Sequence, residues 1–318
     1  MAGSGSISII TINYNGYDDT CELMDTIPFG MEGLDVVVVD NGSTSNEAAR
    51  LQQRYPAAKV VQSDTNLGFA GANNLGVRHA EGQLLFFVNN DARFFRPGHP
   101  ERTADMLRRM SQHFDRQTAL GLLCPVILND DSKAGLQWAG YTALTHVTLR
   151  NRAVTALPAA GAQPLCATPY AHGAAMMTRR DVLERAGMMC EDYFLYYEEL
   201  DWSLAVRRAG YNIAVATDCH IYHKASKTTG QDSPLKTYYL TRNRLAFASR
   251  NVSQPCRIVS LVYQMAVVAP RDWLRYTLSH QAERRRSLAL AIADYLCGRM
   301  GPCRHALKPT AAMPSKTH

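Results

Sequence analysis

The clearest signal of fold in this sequence is the segment Leu84-Leu85-Phe86-Phe87-Val88-Asn89-Asn90-Asp91. Its five apolar residues are enough for a strand that is buried on both faces, as in a parallel sheet. Parallel α/β sheets bind ligands just beyond the carboxyl ends of their strands, and Asp91 would lie at such an end. A carboxylate there suits a divalent cation shared with a diphosphate, because hard cations prefer oxygen ligands. Taken alone, however, the segment is more typical of a strand followed by a plain Asn/Asp turn.

Three earlier segments repeat the pattern of an apolar run followed by a polar loop. Strands are predicted at 6–12, 35–39 and 59–62, and a segment with helical spacing follows each of them. Alternating strands and helices indicate βαβ units and a parallel sheet. The carboxyl ends of parallel strands share one edge, so the polar loops are expected to form one site there.

The residues of these loops suit a sugar nucleotide. Tyr14 offers an aromatic face to a base, and Asp40 can accept hydrogen bonds from a base N–H or from ribose hydroxyls. Gly68 and Gly71 would let the backbone approach phosphates at a helix N-terminus, where unpaired N–H groups favour anions. Each residue taken singly is more typical of a turn or a cap. The ordered set of loops is what favours a binding site.

Together, the loops resemble the successive motifs of family 2 glycosyltransferases, and most closely those of the rhamnosyltransferase-like branch. The resemblance covers residues 6 to about 250. It implies an α/β chain with the GT-A fold: a Rossmann-like nucleotide-binding half and a mostly parallel central sheet with helices on both faces. It also implies an inverting transfer from a nucleoside-diphosphate sugar with Mg²⁺ or Mn²⁺. The matching segments are Asn13-Tyr14-Asn15-Gly16, Val39-Asp40-Asn41-Gly42-Ser43, Asn66-Leu67-Gly68-Phe69-Ala70-Gly71-Ala72-Asn73-Asn74 and Phe87-Val88-Asn89-Asn90-Asp91-Ala92.

The residues and the resemblance together suggest a role for each loop position. The family pattern at the strand edge is Asp-x-Asp, whereas this chain has Asn89-Asn90-Asp91, so the metal must take more ligands from the diphosphate, from water or from another residue. His223 stands where related enzymes carry a metal-binding histidine, with His220 as a competitor, and imidazole suits Mn²⁺ better than Mg²⁺. The predicted sets are Tyr14, Asn15, Asp40, Asn66, Gly68 and Asn73 for the nucleotide, Asn89 and Asn90 for the donor sugar and diphosphate, and Asp91 and His223 for the metal.

The acceptor side is predicted around Glu198-Glu199-Leu200-Asp201-Trp202, which follows an aromatic run and opens a helix. Acidic residues at a helix N-terminus are favoured by the helix dipole alone. Apolar surroundings, however, raise the pKa of a carboxylate toward a value useful for a base. The segment resembles the family's acidic motif, whose second residue is the general base, here Glu199 with Glu198 as the runner-up. Glu198, Asp201 and Trp202 are expected to contact the acceptor. Further on, residues 238–244 resemble the family's Arg-Asn element, which receives no role from the sequence.

Composition limits the other classes of protein. With 318 residues and 46% hydrophobic content, the chain can bury one large core plus an appendage. The eight cysteines form no Cys-x-x-Cys pair, which favours free thiols in a reducing compartment. No signal peptide is evident, so a cytoplasmic location is expected.

The charge distribution divides the chain. Residues 1–235 contain 20 Lys+Arg and 25 Asp+Glu, whereas residues 236–318 contain 14 and 3. The basic part also holds twelve uncharged residues, 258–269, which are too few to span a bilayer. We therefore predict a GT-A domain at 1–235, with a sugar-nucleotide-binding half at 1–95 and an acceptor half at 96–235, and a basic helical extension at 236–318.

The extension fits two interpretations about equally well. Basic residues interleaved with apolar and aromatic ones are typical of helices on an anionic membrane surface, here the inner face of the cell membrane. The alternative is a basic helical subdomain that packs on the catalytic domain. Nucleic acid is disfavoured as a partner because of the uncharged stretch.

Two other classes of protein were weighed against the transferase. A nucleotide-dependent oxidoreductase needs Gly-x-Gly-x-x-Gly after a strand, and the sequence does not contain it there. A non-catalytic sugar-nucleotide-binding module would exploit the missing first Asp. The favoured prediction is an inverting, metal-dependent glycosyltransferase in cell-surface polysaccharide synthesis. Rhamnose carried on thymidine diphosphate is the leading donor, and the acceptor is a saccharide or a polyprenyl-diphosphate-linked saccharide.

Overall fold

A computed structural model of the protein describes residues 5–95, 100–130, 135–157, 163–224 and 233–307. Within them the chain is α/β, with a ten-stranded mixed sheet and a helical C-terminal region. The predicted α/β architecture with a C-terminal helical region is confirmed. The chain forms two compact units. The first contains residues 1–143, 151–194 and 198–225, and the second contains residues 144–150, 195–197 and 226–318.

The N-terminal half of the sheet is parallel. Its strands are β1 (Ile7–Asn13), β2 (Leu34–Asp40), β3 (Lys59–Gln62) and β4 (Leu84–Val88), in the spatial order β3-β2-β1-β4. All five residues of β4 are buried, as expected for a strand covered on both faces. The register pairs Asn13 with Asp40, so the polar ends of β1 and β2 lie side by side.

The C-terminal half of the sheet brings a distant strand end to β4. Strand β9 (Ala175–Arg179) is antiparallel to both β4 and β6 (Leu120–Asn129). Strand β10 (Asn212–His223) is parallel to β6 and pairs His223 with Ala92 of the short strand β5 (Ala92–Arg93). The end of β10 therefore lies beside the polar turn after β4. Strand β9 begins directly after a turn at Gly173 and Ala174. The remaining strands are β7 (Leu136–Trp138) and β8 (Leu165–Ala167).

Helices connect these strands as the βαβ pattern predicts. Each of the first three strands is followed by a helix, and the helix after β9 ends at Gly187, whose φ of +81° is readily adopted only by glycine. The helices of this unit are α1 (Tyr17–Met24), α2 (Glu47–Arg54), α3 (Gly68–His79), α4 (Pro100–Arg116), α5 (Arg180–Ala186), a short 3₁₀ turn at Glu191–Tyr193, and α6 (Glu198–Arg208).

The second unit is helical. Helix α7 (Pro234–Asn251) packs against α10 (Ala282–Leu296), and Ser233 caps α7 by accepting a hydrogen bond from the Lys236 N–H at 3.1 Å. Between them run α8 (Cys256–Tyr263), a π-helical turn (Gln264–Val268) and α9 (Ala269–Leu278). In the part of the chain that the structure describes, no helix combines the length and apolar character needed to cross a membrane.

Candidate active site

The ends of β1 and β2 form a buried polar cluster around Asp40, which is only 1% exposed. The Asn13 side-chain amide donates hydrogen bonds to Asp40 Oδ1 at 2.7 Å and to Glu47 Oε2 at 2.8 Å. Ser43 donates a second hydrogen bond to Asp40 Oδ1. Asp40 Oδ2 is buried without a hydrogen-bond donor among the described residues. A buried carboxylate oxygen in this state is unusual, and it favours a ligand that donates an N–H or O–H.

The loop after β1 presents Tyr14 and immobilises Asn15. Tyr14 is 40% exposed, so its ring face is accessible to a base. Asn15 adopts a φ of +50°, and its Oδ1 accepts hydrogen bonds from the Thr44 N–H and hydroxyl at 2.8 and 2.9 Å. Asn15 therefore fixes the two loops to each other, and Tyr14 and Asp40 are the predicted nucleotide residues with groups available to a ligand.

The structure explains the glycine at position 68 by its backbone conformation and by a close contact, rather than by the predicted approach to a phosphate. Gly68 has a φ of +73°, and a Cβ there would lie 2.3 Å from the Phe194 carbonyl oxygen. That carbonyl accepts the Phe69 N–H at 2.8 Å, and Asn66 Oδ1 accepts the Gly68 N–H. Two N–H groups at the start of α3 are thus already bonded within the protein. Asn73 is buried and donates to the Phe69 carbonyl, so it too supports the helix.

The two asparagines after β4 tie the strand edge to its neighbours. The Asn89 N–H donates to the Ala174 carbonyl at 2.9 Å. The Asn90 side chain donates to the Thr20 hydroxyl at 3.0 Å, and that hydroxyl donates in turn to Asn13 Oδ1 at 2.7 Å. A continuous chain of hydrogen bonds therefore joins the Asp40 cluster to the turn that carries Asp91.

Asp91 and His223 form a buried pair at this edge. His223 Nε2 lies 3.2 Å from Asp91 Oδ1, yet this oxygen receives no hydrogen bond from the described residues. On the other side of the ring, His223 Nδ1 lies 3.0 Å from Gln137 Oε1, and a hydrogen bond between these two atoms would place a proton on Nδ1. In a neutral imidazole the Nε2 lone pair then faces a carboxylate oxygen. Two such atoms are stable together only with a proton or a cation between them.

A second histidine lies behind this pair. His172 is stacked on Tyr141, with ring centroids 6.0 Å apart, and its centroid is 6.3 Å from that of His223. Burial, together with the neighbouring His223, lowers the pKa of His172 to about 3. Its Nδ1 accepts the Ala174 N–H at 3.0 Å. His172 is therefore uncharged at neutral pH and lines the site beside His223.

Glu199 lies at the N-terminus of α6, next to Gly173, where a Cβ would be 3.9 Å from the Glu199 side chain. Burial raises the pKa of the Glu199 carboxyl, and the backbone N–H groups of Glu199 and Leu200 oppose that rise. The charge of Glu199 also adds to the effect of burial in raising the pKa of Tyr141. Glu199 remains partly accessible, whereas Glu198 is buried.

The structure buries Asp201 and Trp202, which the sequence predicts as acceptor contacts. Trp202 is 1% exposed, donates from Nε1 to the Gly187 carbonyl at 2.9 Å and packs edge-on against Phe87. Asp201 is buried and accepts a hydrogen bond from the Tyr193 hydroxyl at 3.0 Å. The Trp202 side chain therefore lies on the face of α6 that packs against the sheet, and the Asp201 carboxylate is bonded to the turn that precedes this helix.

The Arg-Asn element acts within the second unit. The Asn243 amide donates to the Leu195 and Tyr196 carbonyls at 2.8 and 3.0 Å. Arg244 Nε donates to the Tyr197 hydroxyl at 3.0 Å. Tyr196 and Tyr197 have φ values of +69° and +80°, a strained backbone for non-glycine residues. Asn243 and Arg244 therefore hold the strained segment that directly precedes the acidic residues in sequence.

The sequence did not predict Gln137, Tyr141 and His172 as members of the site. Each lies in or beside a short element of the central region, and only the pairing of β7 with β6 brings Gln137 to the end of β10. The His172-Gly173 pair directly before β9 could have predicted a site residue, because it resembles the polar loops beside the other strands.

The protein is similar to known glycosyltransferases in sequence. The model of the family described as Glycosyl transferase family 2 matches residues 8–187. The low-salt glycan biosynthesis hexosyltransferase Agl10 of Haloferax volcanii is 28% identical, over 75% of this chain and 74% of its own length. The N-acetylglucosaminyl-diphospho-decaprenol L-rhamnosyltransferase of Mycobacterium tuberculosis is 24% identical, over 63% of this chain and 69% of its own length.

The fold is also similar to a solved glycosyltransferase structure. The mannosyltransferase PcManGT from Pyrobaculum calidifontis, solved in complex with GDP-Man and Mn²⁺, superposes with a TM-score of 0.54 and 18% identity, over 93% of this chain and 76% of its own. This similarity agrees with the expected GT-A fold. Because the family model covers more than half of the sequence, the chain belongs to glycosyltransferase family 2.

Proposed function

We propose that this protein transfers a sugar from a nucleoside-diphosphate sugar to an acceptor hydroxyl, with inversion at the anomeric carbon. The observation that carries the proposal is the buried Asp91 Oδ1, which receives no hydrogen bond from the described residues and lies 3.2 Å from His223 Nε2. Asp40 ends the nearby parallel strand β2 at the same edge of the sheet, and Glu199 lies in the first turn of α6. One extended ligand with a nucleoside at one end and a sugar at the other would use all of these groups.

The nucleoside would bind at the ends of β1 and β2. Asp40 Oδ2 would accept a hydrogen bond from a base N–H or a ribose hydroxyl, and Tyr14 would lie against the base. The diphosphate and donor sugar would then lie over Asn89 and Asn90. The hydrogen-bond chain through Thr20 holds Asn90 in place before the ligand arrives.

Asp91 and His223 would hold Mg²⁺ or Mn²⁺. Their chemistry fits such an ion, because a carboxylate oxygen without a donor and an imidazole with its other nitrogen bonded to Gln137 are both suitable ligands. When bound, the ion would neutralise the charge that develops on the leaving diphosphate. No set of three or more His, Cys, Asp or Glu side chains is grouped for metal binding in the described ranges, so the diphosphate and water would complete the coordination.

Glu199 is proposed as the general base. Its raised pKa keeps the carboxylate basic enough to take the proton of the acceptor hydroxyl as the oxygen attacks the anomeric carbon. The nucleoside diphosphate leaves from the opposite face, which inverts the configuration. Glu198 is the weaker candidate because its side chain is buried.

Rhamnose carried on thymidine diphosphate is the proposed donor, and a lipid-linked saccharide at the membrane is the proposed acceptor in cell-surface polysaccharide synthesis. The Mycobacterium relative, an L-rhamnosyltransferase that acts on a diphospho-decaprenol-linked sugar, supports both choices.

A donor screen tests the proposal. The purified protein is incubated with a panel of nucleoside-diphosphate sugars and Mn²⁺ or Mg²⁺, and released nucleoside diphosphate is measured by mass spectrometry with and without a chelator. We expect release from one donor class, abolished by the chelator and increased by the correct acceptor. Tight nucleotide binding with no release from any donor would instead support a non-catalytic binding module, which the single Asp of Asn89-Asn90-Asp91 makes the second candidate.

A further inference from the structure

The second unit exposes an unusual amount of apolar surface. Ile258, Val259, Val262, Val267, Leu274 and Leu278 are each at least half exposed, up to 72% at Leu278, and Trp273 is 46% exposed. All seven lie on the continuous helical segment formed by α8, the π-helical turn and α9, and we call them the apolar face. Contiguous apolar surface of this kind marks an interaction site on a protein.

The opposite side of the same segment is buried and contains both polar and apolar residues. Ser260 donates to the Val147 carbonyl at 2.9 Å, and Gln264 is buried beside the same carbonyl. Val268 and Tyr276 continue the buried stripe, with Asp272 partly buried between them. The segment therefore buries the polar Ser260 and Gln264 while it exposes seven large apolar residues, whereas an ordinary surface helix buries its apolar stripe.

The π-helical turn keeps the apolar face straight. The buried positions recur every four residues from 260 to 276, whereas an ideal α-helix has 3.6 residues per turn and would carry such a stripe around its axis. The wider turn at Gln264–Val268 compensates for this drift. The exposed residues of α8 and α9 consequently stay on one side of the segment.

Arginines border the apolar face. Arg271 and Arg275 are exposed on α9, and the guanidinium of Arg285 lies 5.4 Å from the centre of the Trp273 ring. Residues 236–318 carry 14 Lys+Arg and 3 Asp+Glu. Asp272 is the one acidic residue in the sequence 256–278, and it already pairs with Arg271 at 2.7 Å, so a second copy of this chain would bring like charges together. A partner with a negatively charged surface and an apolar interior would match both the arginines and the apolar face.

We propose that the apolar face inserts into the interfacial region of an anionic lipid bilayer, with the bordering arginines at the level of the lipid phosphates. The segment would lie in the plane of the membrane. This inference extends the proposed function, because a lipid-linked acceptor is confined to that surface. It stands on the helical segment alone and requires no property of the sugar-nucleotide site.

Vesicle cosedimentation of the full chain tests the inference. The probes are vesicles of phosphatidylglycerol mixed with phosphatidylcholine and vesicles of phosphatidylcholine alone. The test variant is Val262→Gln/Leu274→Gln. The matched control, Leu157→Gln/Met188→Gln, changes two exposed apolar residues of the first unit. We expect preference for the anionic vesicles, a partition coefficient lowered roughly tenfold to a hundredfold in the test variant, and no change in the control.

A second variant separates the charged contribution. Arg271→Gln/Arg275→Gln should reduce binding to anionic vesicles by about fivefold for each arginine and leave binding to neutral vesicles unchanged. Equal partition of the wild type and the Val262→Gln/Leu274→Gln variant would overturn the inference. So would a dimer, detected by light scattering without lipid, that this variant dissociates.

Release of nucleoside diphosphate from a soluble donor is measured on the same samples. It should be equal in all variants, since none of the changed residues belongs to the proposed site. Vesicle binding as expected with no release in any sample would contradict the proposed function and leave the membrane contact standing.

Discussion

Replacing Glu199 with Gln should lower activity and raise stability at the same time. The substitution keeps the shape of the side chain and removes its basicity, so turnover should fall by about 10²–10⁴-fold, or roughly 3–5 kcal/mol of activation free energy. Burial raises the pKa of the Glu199 carboxyl in the folded protein, so the ionised form destabilises the fold at neutral pH. Removing that charge should therefore raise Tm.

The pH dependence gives the sign of the effect. Because the folded pKa lies above the unfolded value of about 4.3, the protonated form favours folding, and wild-type stability declines as pH rises between the two values. The Tm advantage of Glu199→Gln should therefore be small near pH 4 and complete above the folded pKa. The acid limb of the wild-type activity profile should lie above the ordinary range of a glutamate for the same reason.

Turnover measured by nucleoside diphosphate release and Tm measured by calorimetry at several pH values check both effects. Glu184→Gln, an exposed change on α5, is the matched control and should alter neither quantity. Near-normal turnover of Glu199→Gln together with an inactive Glu198→Gln would refute the assignment and move the base by one residue.

Three further predictions follow from single contacts. Asp91→Asn should abolish Mn²⁺-dependent binding of a nucleoside diphosphate in calorimetry, and His223→Gln should weaken it less, since imidazole is one ligand among several. Gly68→Ala should destabilise the protein by more than the ~1–2 kcal/mol cost of a positive φ, because its Cβ would overlap a backbone carbonyl, whereas Gly187→Ala, with open space around it, should cost only the backbone term. Asn243→Ala should lower stability by ~1–3 kcal/mol for each carbonyl left without its donor.

Each of these predictions has an outcome that contradicts it. Unchanged Mn²⁺ dependence in Asp91→Asn would exclude the metal site as described. If chemical denaturation showed equal losses in the free energy of unfolding for Gly68→Ala and Gly187→Ala, the overlap with the Phe194 carbonyl would not contribute to the cost at Gly68. For Asn243 the decisive comparison is Asn243→Asp, which keeps the shape but cannot donate. Full stability of that variant would show that the two hydrogen bonds do not hold the strained segment.

The sequence was sufficient for the strands and loops whose placement depends on local signals. Strands β1 to β4 are apolar runs that end in polar loops. In a parallel sheet the carboxyl ends of the strands, and therefore these loops, lie at one edge. That reasoning predicted the proximity of the loop at Asp40 to the turn carrying Asp91, and a hydrogen-bond chain joins the two.

Contacts between distant segments were not predictable in the same way. The residue that fixes Gly68 as glycine, Phe194, lies 126 positions away, and no local pattern links the two. Gln137 belongs to a three-residue strand whose partner is set by the long strand β6. Trp202 was assigned to the acceptor because it follows an acidic run, but the packed face of a helix is decided by the sheet beneath it, and that face includes Trp202.

In this site, hydrogen bonding distinguishes the residues that stabilise the loops from those that are available to bind a ligand. Four asparagines of the kind that a motif search selects have side chains that are already hydrogen-bonded within the protein: Asn13, Asn15, Asn66 and Asn90. Two buried carboxylate oxygens in the same region, on Asp40 and Asp91, receive no hydrogen bond from the described residues. Each of these atoms destabilises the folded protein, because it loses its hydrogen bonds to water on burial and gains none in return. The asparagines therefore hold the loops rigid, and the two aspartates are the positions where a donor N–H and a cation would be needed. In this chain a loop residue's hydrogen-bond state says more about its role than its place in the motif.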